Sequence, residues 1–161
     1  MDTTLRDGEQ TSGVSFSASE KLTIAQLLLT ELKVDRIEIA SARVSDGEFQ
    51  AVKKITEWAA IHGYLNKVEV LTFVDGGTSV DWMISSGAKV MNLLTKGSLN
   101  HLKHQLKKSP EQHFSEIAES IHLAVSKGLE VNVYLEDWSN GMRNSKQYVI
   151  DYLDFIQHLP I

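Results

Sequence analysis

The chain of 161 residues has the length of one ordinary domain, and its 42% hydrophobic content is enough to form a core. A formal net charge of -5 at pH 7, without any run of basic residues, argues against a nucleic-acid partner. The absence of cysteine excludes disulfides, thiolate nucleophiles and cysteine-ligated zinc. Because no apolar run is long enough to span a bilayer and no signal peptide opens the chain, we expect a cytoplasmic protein with no membrane partner.

Short β-prone runs alternate with helical patterns along the chain. Residues 3–5 read as the end of a first strand, and Ser17 with Glu20 fits a capping box that begins a helix. The core-facing stripe predicted for this helix consists of Leu22, Ala25, Leu28, Leu29 and Leu32. Further strands are predicted at residues 36–39, 67–74, 90–95 and 130–137, with helices at about 48–62, 78–87, 110–127 and 145–158, a turn at 138–141 and the start of a sixth strand at 159–161.

Five strand-helix repeats without hairpin signals predict an α/β fold with a parallel sheet. A doubly wound open sheet would need a glycine-rich turn after its first strand, whereas residues 6–10 read Arg-Asp-Gly-Glu-Gln. We therefore prefer a (β/α)8 TIM barrel, which usually needs about 250 residues. Residues 1–161 are accordingly expected to be the N-terminal portion of such a catalytic domain, covering about the first five βα units, with no second domain.

Arg6 and Asp7 follow the first predicted strand, at the sheet edge where α/β folds place their active sites. A carboxylate can hold a divalent cation, and a guanidinium can stabilise a developing oxyanion, so the pair suits a metal-assisted reaction of a carbonyl compound. An ordinary solvated ion pair in a loop is the alternative, and for two residues considered alone it is the more frequent case.

The string from Asp2 to Gln10 resembles the N-terminal signature of enzymes that join an acyl-CoA to a 2-oxoacid. These are the isopropylmalate, citramalate and homocitrate synthases, with 3-hydroxy-3-methylglutaryl-CoA lyase as a relative. Residues 35–45, 92–98 and 132–141 also resemble strand ends and loops of this family, most closely of citramalate synthases. The resemblance implies a TIM barrel, a divalent metal (Mg, Mn or Zn), acetyl-CoA and a small 2-oxoacid as substrates, and a homodimer in the full-length enzyme.

By position, the resemblance implies that Asp7 is a metal ligand and that Arg6 contacts the 2-oxoacid and stabilises the reacting carbonyl. It also implies that Glu136 is the base that removes a proton from the methyl group of acetyl-CoA. A merely electrostatic carboxylate near the metal is the alternative for Glu136.

The resemblance further implies that Leu71, Leu94 and Tyr134 line the pocket for the side chain of the 2-oxoacid. Ordinary core packing is the alternative for either leucine. A bulky tyrosine with two leucines walls a short pocket, and excluding extra methylene groups is worth ~1–3 kcal/mol. Pyruvate and the product citramalate are therefore expected, with 2-isopropylmalate synthesis from 2-oxoisovalerate as the alternative.

The family's His-x-His metal pair does not occur in this chain. His101 and His104 have a different spacing, and among neighbouring lysines a solvated helix face is preferred for them over a metal site. We therefore expect the 161 residues alone to be inactive and to bind metal weakly. A non-catalytic half barrel that covers its open sheet edge with a partner, as a binding or assembly module, is the alternative outside the enzymes.

Overall fold

The computed structural model describes all residues, 1–161. Four strands form one sheet in the order β1-β2-β3-β4, namely β1 (Ile37–Ser41), β2 (Val68–Phe73), β3 (Val90–Lys96) and β4 (Glu130–Glu136). The helices are α1 (Ala18–Thr30), α2 (Asp46–His62), α3 (Thr78–Ser86), α4 (Leu99–His101), α5 (Pro110–Ser126), α6 (Trp138–Asn144) and α7 (Lys146–Ile156). Strands alternate with helices, and β1 pairs with β2 in parallel, so the predicted α/β class is confirmed. No helix combines the length and the apolar character that crossing a bilayer would require.

The prediction of a first strand at residues 3–5 is wrong, because these residues form no strand. A single parallel bridge joins Asp2 to Ile37, and the chain then turns. The carbonyl oxygen of Thr3 accepts hydrogen bonds of 2.8–3.1 Å from the N–H groups of residues 6–8. The first candidate site residues therefore lie in a tight turn and not at the end of a strand.

Two compact units divide the chain: residues 1–72 with 79–91, and residues 73–78 with 92–161. In the first unit, α1 begins at the predicted capping box, in which Ser17 and Glu20 each bind the other's backbone N–H. Helix α2 ends at Gly63, whose φ of 76° is the left-handed conformation that favours glycine. Both helices pack on β1.

The buried face of α1 differs from the predicted stripe. Lys21 is fully buried, whereas Leu32 is 70% exposed and Leu22 only half-buried. Ala25, Leu28 and Leu29 are buried as expected, and the observed buried set is therefore Lys21, Ala25, Leu28 and Leu29. A charged side chain occupies the place on this face at which an apolar residue was expected.

In the second unit, α5 begins at Pro110, as predicted, and Ser109 before it forms a capping box with Gln112. The segment at 99–108 is partly helical, since α4 continues as a π-helical segment, Leu102–Leu106. Two predictions are wrong here. The turn expected at 138–141 is part of helix α6, and residues 159–161 form no strand.

Candidate functional site

Arg6 is held between two carboxylates in the first unit. Its Nε donates to Oε2 of Glu38 at 2.5 Å, and its Nη1 donates to Oδ1 of Asp7 at 3.0 Å. The side chain of Glu38, on β1, is fully buried, whereas that of Asp7 is 62% exposed. The buried carboxylate therefore fixes the guanidinium in one orientation, and the charge of Arg6 offsets the cost of burying Glu38.

Glu38 has a buried neighbour in register on β2. Glu69 pairs with Glu38 across the two parallel strands, and its Oε1 lies 3.1 Å from Nη1 of Arg36. Each of these buried glutamates thus faces an arginine. Neither glutamate was predicted as a site residue, although a single charged residue within an apolar strand is a recognisable signal.

Asp7 is exposed and therefore accessible to a cation, but one carboxylate does not make a complete metal site. Nowhere in the chain do three or more His, Asp or Glu side chains converge in a way that could hold a metal ion. Divalent cations that prefer oxygen ligands take several carboxylate, carbonyl or water oxygens. The residues of this chain therefore do not form a complete metal centre, and the role of Asp7 as a ligand stays a prediction.

Lys21 buries its ammonium group close to the turn that carries Arg6. Its Nζ lies 2.6 Å from Oε2 of Glu9 and 2.5 Å from Oε1 of Glu48. The same nitrogen donates to the carbonyl oxygens of Leu5 at 3.0 Å and of Ile39 at 3.4 Å. This cation therefore ties the N-terminal turn, β1 and α2 together.

The two carboxylates around this lysine respond differently to burial. Burial raises the pKa of Glu48, and the hydrogen bond and charge of Lys21 only partly offset that rise. Burial would also raise the pKa of Glu9, but hydrogen bonds from Lys21 and from the N–H of Phe16 outweigh it, so the pKa of Glu9 is lowered. This cluster was not predicted from the sequence, and its signal was the position of Lys21 four residues before Ala25 on the buried face.

A cavity of about 590 Å³ opens beside Arg6 in the first unit. The residues around it that carry charge or hydrogen-bonding groups include Arg6, Glu9, Gln10, Ser41, Ser45 and Glu48. Its volume lies within the range of small-molecule pockets. The guanidinium of Arg6 is thus placed at the wall of a space large enough for a ligand.

Leu71, the third candidate residue of the first unit, is only 7% exposed. Its carbonyl oxygen accepts a hydrogen bond of 2.8 Å from the N–H of Ala42. Burial to this degree is compatible both with core packing and with a wall of a closed pocket. Its role in substrate binding stays a prediction.

Tyr134, in the second unit, is held at its hydroxyl group and at its backbone. Nδ2 of Asn92 donates to the phenol oxygen at 2.9 Å, and Nδ2 of Asn132 donates to Oδ1 of Asn92 at 2.9 Å. Oγ1 of Thr95 donates to the carbonyl oxygen of Tyr134 at 2.8 Å. Because Asn92 is fully buried, these bonds restrict the position of the phenol ring. Leu94 is half-buried on β3.

Glu136, at the end of β4, forms an ion pair with Lys96, at the end of β3. The side chain of Lys96 is only 13% exposed, whereas that of Glu136 is 38% exposed. The N–H of Gly97 donates to the carbonyl oxygen of Glu136 at 2.7 Å. The predicted base is therefore accessible and oriented by a cation that the sequence analysis did not select.

Two histidines of the second unit, His101 and His113, are not ordinary solvated residues, whereas His104, His122 and His158 are exposed. Nε2 of His101 lies 3.6 Å from Oδ2 of Asp137, so the solvated face expected for His101 is wrong. His113 is buried, and its Nε2 accepts a hydrogen bond of 3.2 Å from the N–H of Lys96. Burial lowers the pKa of His113 from 6.5 to about 4.

This lowered pKa predicts a pH dependence of folding. As the pH falls below the ordinary value of 6.5, the unfolded chain protonates His113 before the folded chain does, so stability is lost towards pH 4. We expect His113 to account for about 2 kcal/mol of that loss. Urea unfolding at about pH 7 and about pH 4.5 measures it, and His113→Gln should flatten the difference while the exposed His122→Gln should not. Equal profiles for His113→Gln and the unsubstituted chain would contradict the prediction.

Comparison with known proteins shows the family to which the chain belongs. The model of a family described as HMGL-like matches residues 1–155. The chain belongs to the HMGL-like family. Among its relatives, the 2-isopropylmalate synthase of Sulfurisphaera tokodaii is 36% identical over 151 residues, which cover 93% of this chain and 37% of that protein. The (R)-citramalate synthase of Methanocaldococcus jannaschii is 36% identical over 138 residues, which cover 85% of this chain and 27% of that protein.

Among solved structures, this HMGL-like chain is similar to the HMG-CoA lyase of Bacillus subtilis. The TM-score is 0.60 at 16% sequence identity, and the match covers 96% of this chain and 53% of the lyase chain. At that identity the likeness concerns the fold, and it confirms the (β/α)8 class predicted from the sequence. The chain spans 37% and 27% of the lengths of the two synthases.

Proposed function

We propose that this chain takes part in a Claisen-type condensation of acetyl-CoA with a 2-oxoacid, and that the 2-oxoacid is pyruvate, giving citramalate. The observation that carries the proposal is the guanidinium of Arg6, which Glu38 holds at 2.5 Å at the wall of a cavity of about 590 Å³. A fixed guanidinium is suited to stabilising an oxyanion as it forms. The similarity to citramalate and 2-isopropylmalate synthases supports this class of reaction.

In this proposal, Glu136 removes a proton from the methyl group of acetyl-CoA, and the resulting enolate attacks the keto carbon of the 2-oxoacid. Arg6 stabilises the alkoxide that forms on that carbon, and hydrolysis of the thioester then releases the product. Asp7 is proposed as one ligand of a divalent cation. Because no group of three or more acidic or imidazole side chains in the chain could hold a metal ion, such a cation would need further ligands.

The test of this function is release of free CoA thiol from acetyl-CoA by the complete gene product. Pyruvate, 2-oxoisovalerate and 2-oxoglutarate are supplied in turn with Mg²⁺, Mn²⁺ or Zn²⁺, and a chelator provides the metal-free control. We expect the highest kcat/KM with pyruvate. Thiol release with none of the 2-oxoacids would contradict the condensation.

A 2-isopropylmalate synthase is the second candidate. The relative from Sulfurisphaera tokodaii carries that name and is as similar to this chain, at 36% identity, as the citramalate synthase is. A higher kcat/KM with 2-oxoisovalerate than with pyruvate would favour this candidate. Such a result would leave the condensation itself intact.

Tyr134 is expected to set the preference for pyruvate. Replacing Tyr134 with alanine removes the ring that the bond from Asn92 holds at 2.9 Å and leaves space for a branched substrate. We expect kcat/KM for 2-oxoisovalerate to rise about 10- to 100-fold relative to that for pyruvate. Tyr134→Phe keeps the ring and should keep the preference. An unchanged ratio in Tyr134→Ala would show that this side chain does not limit the pocket.

A further inference from the structure

Lys96 is attached to the second unit through its backbone as well as its side chain. Its N–H donates to Nε2 of His113 at 3.2 Å, and its carbonyl oxygen accepts a hydrogen bond of 2.7 Å from the hydroxyl of Tyr148. Burial lowers the pKa of His113 to about 4, so its ring is neutral and can accept. Burial raises the pKa of Tyr148 to about 12, so its hydroxyl keeps the proton it donates. The peptide groups on both sides of Lys96 are therefore hydrogen-bonded to side chains of helices α5 and α7, which lie outside the sheet.

The residue after Lys96 brings the ends of β3 and β4 close together. The N–H of Gly97 donates to the carbonyl oxygen of Glu136 at 2.7 Å. A Cβ atom at position 97 would lie 3.0 Å from that oxygen and 3.0 Å from the side chain of Leu135, which is tighter than ordinary contact. The ends of β3 and β4 therefore approach each other closely at Gly97, next to Lys96 and Glu136.

We infer that Lys96 is the positioning residue for Glu136, and that its ammonium group holds the carboxylate in the one orientation that faces the methyl group of acetyl-CoA. This inference rests on the proposed function, because it takes Glu136 as the base.

Two features of the pair support this role. The ammonium group belongs to a side chain that is only 13% exposed, whereas the carboxylate side chain is 38% exposed and remains accessible to a ligand. A glutamate side chain at the end of a strand can adopt several rotamers, and an anchored cation selects one of them. A base must lie within hydrogen-bonding reach of the proton that it removes.

The step moves one proton. The C–H bond of the methyl group breaks, its proton passes to an oxygen of Glu136, and its electron pair becomes part of the thioester enolate. Lys96 keeps its own proton throughout, and its positive charge remains beside the carboxyl group as that group becomes neutral.

The test is a set of three variants of the complete gene product, assayed by thiol release. Lys96→Met is expected to lower kcat about 100-fold, because a small displacement of a catalytic group costs about that much. The KM for the 2-oxoacid should change by less than about threefold, since Lys96 acts through Glu136. Lys96→Arg keeps the charge and should recover most of kcat. Lys108→Met, which removes the pair of Lys108 with Glu116 at 2.5 Å in the same unit, should leave kcat unchanged.

A direct readout of the contact is the ¹H–¹⁵Nζ signal of Lys96, which we expect Glu136→Gln to shift in the 161-residue chain. An unshifted signal, a full kcat in Lys96→Met, or an equal loss of kcat in Lys96→Met and Lys96→Arg would each overturn the inference. Absence of thiol release in the unsubstituted protein would contradict the proposed function, and this inference with it. Full activity of Lys96→Met would contradict this inference alone.

Discussion

Replacing Glu136 with glutamine is expected to lower the kcat of the complete gene product by about 10³-fold. Glutamine has nearly the shape of glutamate but cannot accept the proton from acetyl-CoA at its amide group. The variant also removes the negative partner of Lys96, whose side chain is only 13% exposed. Thiol release with saturating pyruvate and acetyl-CoA measures the effect.

A matched control is Glu130→Gln, at the other end of β4. Glu130 is exposed, and its strand is the one that carries Glu136, so this variant removes one carboxylate from the same element without touching the proposed site. Its kcat should stay within about twofold of the unsubstituted value. Exchange of the methyl protons of acetyl-CoA with deuterated solvent gives a second measurement, because it reports proton removal without carbon–carbon bond formation. A Glu136→Gln variant that retained both thiol release and exchange would show that another group is the base.

Replacing Lys21 with methionine is expected to lower the free energy of unfolding by about 3–5 kcal/mol. Methionine has a similar length but no charge, so Glu9 and Glu48 would lose the cation that lies 2.6 Å and 2.5 Å from their oxygens. The carbonyl oxygens of Leu5 and Ile39 would lose a donor as well. Urea unfolding followed by tryptophan fluorescence measures the change.

The exposed Lys54 on α2 provides the matched lysine control, and Lys54→Met should change the free energy of unfolding by less than about 0.5 kcal/mol. The triple variant Lys21→Met with Glu9→Gln and Glu48→Gln should recover part of the loss, because it removes the carboxylates left without a cation. A loss below about 1 kcal/mol in Lys21→Met would show that Glu9 and Glu48 reach water without the lysine.

The sequence by itself determined the four strands and the helices between them in their order, because the signals for these elements are local. The capping boxes at Ser17 and Ser109 and the left-handed Gly63 act within a few residues, and the predicted helices began or ended there. The ion pair of Arg6 with Asp7, at 3.0 Å, joins residues adjacent in sequence. The resemblance carried by residues 2–10 also identified the family correctly.

Only the tertiary structure decided which residues from distant parts of the chain become neighbours. A strand needs a partner along its length, and the run at residues 3–5 has only the bridge from Asp2 to Ile37, so the expected strand became a turn. The partner of Arg6 in the core, Glu38, lies 32 residues further along the chain. The partner of Glu136, Lys96, lies 40 residues earlier. Buried charges are stable only beside opposite charges, and which charges become neighbours depends on how β-strands and helices pack and not on the residues next to them in sequence.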